Sequence, residues 1–291
     1  MTKPLFGPAG NSDSFREAGI KHTYQVFEKL AQMGLTAYEY SAGHGVSGSA
    51  ETFAKIGEEA TKHGVKLSFH APYYISLSSP DPAIRARSIG HIGKSLVAAE
   101  IMGADIIVIH PGGTAAGREQ AMELTKETLL DAVKQHENTA PHIRLGIETM
   151  GKGGQLGTLD EVIEICTIHP RLVPVVDFGH MWARERGTML VTEDDFARVF
   201  DTIAEKLGAE VAKNLHCHFS KIEFTSAGEK RHMQFADQGY GPDPQLLINV
   251  IGKMGLTPRI ICESAGTQAE DAVKMMEMWL CRSEKNHLNE T

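Results

Sequence analysis

Short apolar runs alternate along the chain with longer segments whose apolar residues recur at helical spacing. The runs predict strands near residues 4–7, 35–40, 65–70, 105–110, 143–148, 173–177, 212–217 and 258–263. The helical segments lie near 20–33, 50–63, 83–102, 116–136, 158–168, 193–207, 244–254 and 268–281. Strands that alternate with helices in this way predict a parallel sheet. Eight such units favour a closed (β/α)8 TIM barrel over an open doubly wound sheet.

Composition changes this picture little but narrows the setting. The 291 residues show no second composition zone, so we expect residues 1–291 to form one domain. The net charge of −8 provides no bulk attraction to nucleic acid or acidic membranes. The four cysteines form no CxxC pair, which indicates a reducing compartment. The chain also lacks a long apolar run and a signal-peptide pattern at its start, so we expect a cytoplasmic protein with no membrane partner.

The predicted strands end in residues that bind metals or transfer protons. In a TIM barrel the carboxyl ends of the strands form the face where active sites lie. A single histidine or carboxylate there is an ordinary finding, but a series at successive strand ends is not. The series is His70, His110, Glu148, Asp177 with His180 close behind, His216 with His218, and Glu263.

Alternation within the strands predicts the direction in which these side chains point. In the third strand Ser68 and His70 share one face, and Leu67 and Phe69 share the other. The apolar face must contact the helices, so the polar face should line the barrel axis. Ligands of His, Glu and Asp type without Cys fit zinc, manganese or cobalt. Their number exceeds the needs of one ion, and two or three divalent ions together typically support displacement at phosphorus.

Seven stretches in chain order resemble the signatures of the endonuclease IV family, which belongs to the xylose-isomerase-like TIM barrel superfamily. They are HAPYYISLSSPD (70–81), HPGG (110–113), IETMGKGGQLGT (147–158), VVDFGH (175–180), HCHFSK (216–221), EKRH (229–232) and CESAG (262–266). The resemblance covers nearly the whole chain. It implies a TIM-barrel hydrolase that cleaves DNA at abasic sites with three zinc ions, as a DNA-repair enzyme.

The same resemblance assigns ligands to three ions. His70 and His110 resemble the ligands of the first ion, and Glu148 resembles the carboxylate that bridges it to the second. The remaining ligands of the second ion correspond, by the same resemblance, to Asp177, His216 and Glu263. Those of the third ion correspond to His180 and His232. By this resemblance Glu148 and Glu263 are the catalytic residues, and Tyr73 is the loop tyrosine that enters damaged DNA at the lesion.

Two of the departures from the family pattern concern Lys230 and His218. The family has Asp-x-His near the third ion, and Lys230 stands at the Asp position here. Glu229 or Asp237 could replace the missing carboxylate, or the third site could be weak or absent. Lys230 and its neighbour Arg231 could instead bind a substrate phosphate. His218 has no counterpart among the family's ligands, yet it shares a strand face with His216 and is a candidate ligand or substrate contact.

Charge and the ligand set leave two main functions open. Basic residues in the predicted loops at the site could form a phosphate-binding rim for DNA: Lys152, Arg184, Arg186, Lys221, Lys230 and Arg231. The alternative is a metal-dependent isomerase or epimerase acting on a sugar or sugar phosphate, which needs chiefly Glu148, Asp177, His216 and Glu263. The additional histidines favour the nuclease. A catalytically inactive binding barrel is disfavoured, because it would not need converging buried charges.

Overall fold

The computed structural model describes residues 3–289 and forms a barrel of eight parallel strands surrounded by helices. The strands are β1 (Leu5–Pro8), β2 (Ala37–Ser41), β3 (Lys66–His70), β4 (Ile106–Ile109), β5 (Arg144–Glu148), β6 (Leu172–Asp177), β7 (His216–Phe219) and β10 (Arg259–Cys262). They pair in the order β1-β10-β7-β6-β5-β4-β3-β2. The remaining strands, β8 (Lys221–Thr225) and β9 (Gly228–Met233), form a separate antiparallel hairpin. The prediction of a TIM barrel is confirmed.

The barrel closes between β1 and β2, where the two backbones approach closely. A Cβ atom on Gly7 would lie 1.8 Å from the carbonyl oxygen of Ala37, so only glycine fits there. The Thr36 amide donates to the Phe6 carbonyl at 3.0 Å, and the Gly10 amide donates to the Glu39 carbonyl at 2.9 Å. These bonds bring Glu39 on β2 beside the first strand and complete the ring.

Eleven α-helices cover the described part of the barrel wall or connect its strands. They are α1 (Asp13–Glu17), α2 (Val26–Gln32), α3 (Ala50–Lys62), α4 (Pro82–Met102), α5 (Arg118–Gln135), α6 (Leu159–Cys166), α7 (Phe178–Arg184), α8 (Glu193–Leu207), α9 (Ala209–Lys213), α10 (Pro244–Met254) and α11 (Gln268–Asn289). Several begin at the caps that their sequences favour: the Asp81 carboxylate accepts from the Ala83 amide at the start of α4, and Thr158 and Glu161 form a capping box at α6. None of the described helices is long and apolar enough to cross a bilayer.

The structure differs from the sequence prediction in several elements, among them the short helix α1, which was not predicted. The chain around residue 212, predicted as the start of the seventh strand, belongs to α9, and β7 begins at His216. The Asn214 side-chain amide donates to the Glu210 carbonyl at 3.1 Å and holds the end of this helix. The short helix α7 and the β8–β9 hairpin were not predicted, and both lie directly after strands that carry predicted ligands.

The interior of the barrel has two unlike sides. Ile106 and Val108 on β4 and Val173 and Val175 on β6 form an apolar cluster separate from the main core, which we call the apolar side. Across the axis lies the polar side, which consists of Glu39, Ser68, His216 and His218, all buried. The main core lies between the strands and the helices, and Cys217 and Cys262 pack there, as their alternation predicts.

Candidate metal centre

Side chains of ligand type converge at the carboxyl ends of the strands. The described residues contain five overlapping groups in which possible ligand atoms lie within 4.8 Å of one another. Three of these groups lie at the mouth of the barrel: His70 with His110 and Glu148, Glu148 with Asp177, His218 and Glu263, and His180 with His232 and Glu263. Glu148 and Glu263 each belong to two of the three, so the groups form one continuous cluster.

The first group contains the predicted ligands of the first ion. The Nε2 atoms of His110 and His70 lie 3.0 and 3.4 Å from Glu148 Oε2. His70 Nδ1 donates to the Ala71 carbonyl at 2.8 Å, because a carbonyl oxygen can only accept. That bond leaves the Nε2 lone pair directed at the cluster, the arrangement that metal-binding histidines use. Glu148 Oε2 is buried, and both of the polar atoms that face it are imidazole nitrogens of ligand type.

The second group differs from the expectation at one residue. His218, not His216, lies with Glu148, Asp177 and Glu263. Its Nδ1 is 3.0 Å from Glu148 Oε1 and 3.5 Å from Glu263 Oε1. The strand pairing gives the reason, since β7 aligns His218 with Asp177 at the end of β6.

His216 lies one inward-facing position deeper in the barrel. It pairs in register with Val175, two residues before Asp177. Its Nε2 contacts Glu39 Oε2 at 2.9 Å, and burial lowers the pKa of this imidazole to about 4. A prediction that starts this strand at residue 216 instead of 212 places His218, and not His216, at the mouth of the barrel.

Glu229, rather than Lys230, faces the two histidines of the third group. Glu229 Oε2 lies 3.4 Å from His180 Nε2, and Glu229 Oε1 lies 3.8 Å from His232 Nε2. The hairpin register shifts here, so that Phe224 pairs with Glu229 and Glu223 with Arg231. Lys230 is therefore the extra residue of a β-bulge, which turns Glu229 and His232 to the same face despite their three-residue spacing.

The loop before α6 holds Glu229 in place. The Glu229 backbone amide donates to the Gly151 carbonyl at 3.0 Å. The neighbouring Gly228 has a φ of +100°, and a Cβ there would lie 2.2 Å from that same carbonyl. Arg184 on α7 donates to the carbonyls of Met150 and Lys152, both at 2.9 Å, and so fixes the loop against the hairpin.

The electrostatics of the cluster favour a bound cation. Burial by itself would raise the pKa of the Glu148 carboxyl, but the charge of His218 and hydrogen bonds from His110 and His180 hold that pKa well below its usual range. Burial raises the pKa of Glu263. For His70, the hydrogen bond and charge of Glu148 outweigh burial and raise the pKa to about 9. The unpartnered oxygens and the His, Glu and Asp donors together fit borderline divalent ions such as zinc.

The predicted substrate contacts lie at different distances from the cluster. Tyr73 is 53% exposed and lines the cleft of about 400 Å³ that opens above the ligands. Its hydroxyl lies 2.9 Å from Nδ1 of His44, a loop residue that the sequence did not single out. Lys230 and Arg231 point to the other face of the hairpin, where both bind the Glu223 carboxylate, at 2.7 and 2.6 Å.

The predicted basic rim is largely engaged in contacts within the protein. Besides Lys230 and Arg231, Arg184 supports the loop before α6, and Lys221 donates to the carbonyls of Phe235 and Asp237. Lys152 lines the cleft itself. Most of the expected phosphate contacts therefore serve the fold.

The fold and the site define this protein as a TIM barrel with a histidine and carboxylate cluster at its mouth, and comparison with known proteins specifies the family. Residues 27–281 match the model of the xylose isomerase-like TIM barrel family, so the chain belongs to that family. This result confirms the family resemblance that the sequence motifs indicate.

Relatives of known name or structure point in two directions. An uncharacterized protein of Methanocaldococcus jannaschii is 26% identical, and the match covers 94% of this chain and 96% of that protein. A probable endonuclease 4 of Acholeplasma laidlawii is 31% identical, but the match covers only 56% of this chain and 55% of the relative. Among solved structures, endonuclease IV of Thermus thermophilus has a TM-score of 0.70 at 17% identity, with 97% and 100% of the two chains covered. An L-ribulose 3-epimerase also has a TM-score of 0.70, at 12% identity, with 100% and 99% covered. At these identities the structural likeness concerns the fold alone.

Proposed function

We propose that this protein is a metal-dependent phosphodiesterase of the endonuclease IV type, which cleaves DNA at abasic sites with two or three zinc ions. The observation that carries the proposal is the continuity of the three ligand groups through Glu148 and Glu263. Manganese or cobalt would suit the same donors. A single-metal enzyme would have little use for the outer histidines His110, His180 and His232, yet all three face cluster carboxylates.

Each part of the site has a role in this proposal. Bound divalent ions would polarise a phosphodiester, supply the nucleophile and stabilise the leaving oxygen. Glu148 presents one carboxylate oxygen to the first group and the other to the second, so it fixes the distance between them. Glu263 contacts the second and third groups, from where it would help to hold the ions and orient the nucleophile. Tyr73 stands at the entrance, where it contacts the nucleotide at the lesion.

The second candidate is a metal-dependent sugar epimerase, and two observations favour it. Glu148, Asp177, His218 and Glu263 form a complete four-ligand group by themselves. The basic residues that would hold a DNA backbone are mostly bound within the protein. In this function one ion would polarise the sugar's carbonyl and hydroxyl oxygens while carboxylates move a proton.

One paired measurement separates the two candidates. We expect elemental analysis to find two or three zinc ions per chain and the protein to cleave an oligonucleotide duplex with a single abasic site. Glu263→Gln should abolish this cleavage and retain the circular dichroism spectrum of the wild type. Cleavage that survives exhaustive chelation would refute the metal mechanism, and one ion per chain with turnover of a ketose would favour the epimerase.

A further inference from the structure

Glu39 is a fully buried carboxylate beneath the proposed metal site. It lies on β2, and its Oε2 accepts from the Ser68 hydroxyl at 2.8 Å and contacts His216 Nε2 at 2.9 Å. Its Oε1 lies 2.9 Å from His218 Nε2. Neither Oε1 nor His218 Nε2 has a further hydrogen-bond or ion-pair partner among the described residues, so each of these buried atoms faces the other.

The ring of His218 faces the cluster differently from the other histidines. His70 and His180 hold their Nδ1–H on backbone carbonyls, of Ala71 and Thr149, and turn Nε2 to the cluster. His218 instead turns Nδ1 to Glu148 and Glu263. A neutral imidazole carries one proton, so Nδ1 can bind a cation only when the proton resides on Nε2. Beside His218, Glu39 takes the place that a backbone carbonyl has beside His70 and His180.

A separate ion bound by Glu39, His216 and His218 is a weaker interpretation of the same contacts. Both oxygens of Glu39 already have imidazole partners at 2.9 Å, and His216 and His218 are the two histidines that share this carboxylate. Its Oε2 already receives the Ser68 hydroxyl, and the positive charge of Arg259 acts on His216.

We propose that Glu39 is a positioning residue for metal binding, which holds the Nε2–H of His218 and so directs Nδ1 at the ion bound with Glu148, Asp177 and Glu263. The inference rests on the metal site proposed above. Ser68 and His216 in turn fix the Glu39 carboxylate from below. Loss of such a supporting carboxylate typically weakens metal affinity by about 10–100-fold.

The test is the metal affinity of Glu39→Gln, which keeps the shape of the side chain and removes its charge. Zinc is titrated into the metal-free full-length protein in competition with a chromogenic chelator, and cobalt absorption spectra report the ligands. We expect one ion to bind about 10–100-fold more weakly while the others keep their affinity. Tyr38→Phe is the matched control, because it removes a side-chain hydrogen bond to Asn11 from the opposite face of the same strand; its ions should bind within about threefold of the wild type.

A purely structural role of Glu39 would lower the unfolding temperature without changing the affinity of one ion selectively. If Glu39→Gln does not fold, Glu39→Asp keeps the charge but withdraws it from Nε2, and the same ion should bind more weakly. Unchanged zinc affinities in the folded variant would overturn the inference and leave the proposed function intact. Wild-type protein that binds its ions but does not cleave abasic DNA would overturn the nuclease proposal only, and wild-type protein that binds no divalent ion would overturn both.

Discussion

The two sides of the barrel interior obey the same alternation yet support their ligands differently. On the apolar side, β4 and β6 carry valine and isoleucine inward, and a ligand appears only at or beyond the last residue, as His110 and Asp177. On the polar side, β2 and β7 carry Glu39 and His216 one inward position below the mouth. The ligands on the apolar side thus have aliphatic side chains beneath them. His218 on the polar side has a layer of buried polar side chains beneath it.

The difference shows how a barrel can accommodate buried charge. Hydrocarbon beneath a ligand excludes water and strengthens the electrostatic interactions of the group above it. A polar layer instead fixes the proton on an imidazole, but each buried polar atom in it needs a partner. The polar side meets most of that demand with contacts among Glu39, Ser68, His216 and His218, and His216 Nδ1 is left without a hydrogen-bond partner among the described residues. Four predictions would break or sharpen this comparison.

The largest effect should follow from Glu148→Ala, which removes the carboxylate shared by the two sides. Its oxygens face His110 from the apolar side and His218 from the polar side. We expect cleavage of abasic DNA to fall by more than about 10³-fold, the upper range for loss of one electrostatic group, because two ion sites are lost together. Single-turnover rates and zinc content measure this. A loss of one ion, with the rate lowered less than tenfold, would contradict the shared role.

The second-largest effect should distinguish His218 at the mouth from His216, which lies one inward-facing position below it. His218→Asn should weaken one ion by at least about 100-fold, beyond the loss expected for a supporting residue, because it removes a ligand. His216→Asn should keep all ions within about 100-fold of their wild-type affinity, since His216 acts only through Glu39. Zinc competition titrations compare the pair. The reverse ranking would restore the assignment of His216 as the ligand that the sequence suggested.

On the apolar side, Gly146→Ala should reduce stability rather than metal binding. Its Cβ would lie 2.6 Å from Val175 Cγ2 and 2.9 Å from Ile106 Cδ1. Such overpacking costs about 1–3 kcal/mol of unfolding free energy, measured by urea denaturation. Gly90→Ala is the control, because nothing lies within 4 Å of its Cβ position on α4, and it should be neutral or stabilising. Equal stability of the two variants would show that the apolar side tolerates extra volume.

The smallest effect should come from Lys230→Ala and Arg231→Ala, two substitutions that lie outside the barrel interior. Both side chains bind Glu223 on the outer face of the hairpin. We expect cleavage rates within about threefold of the wild type, as for other exposed ion pairs. Lys152→Ala should have the larger effect, because Lys152 lines the cleft. A greater loss for Lys230→Ala, with weaker salt dependence of DNA binding, would reinstate it as a phosphate contact.

The sequence predicts the barrel and most of the mouth because both depend on local alternation. His70, His110 and Glu148 meet as expected, since each ends or directly follows a strand. The choice between His216 and His218 required the start of β7, which a helix at residues 209–213 displaces. Such boundaries are uncertain by a few residues in any interpretation of a single sequence.

Glu39 was missed for a different reason. It lies within a strand rather than at its end, so a pattern of ligands at strand ends does not include it. A signal was present: Tyr38 and Tyr40 on β2 flank Glu39, so its face is opposite to theirs, and a carboxylate on the barrel-facing side of a strand requires partners. Those partners are distant in sequence, at Ser68 and on β7, and only the closed barrel brings them together.

The bulge at Lys230 affects how this chain aligns with the endonuclease IV signature. Without Lys230, Glu229 and His232 would be separated by a single residue and would still share a strand face, because side chains alternate with a period of two. The longer Glu-x-x-His spacing therefore reaches the same spatial arrangement as carboxylate-x-His, with one inserted residue absorbed by the backbone. An alignment of these residues with the Asp-x-His signature that leaves no gap places Lys230 at the aspartate position. In three dimensions the carboxylate on the same face as His232 is that of Glu229.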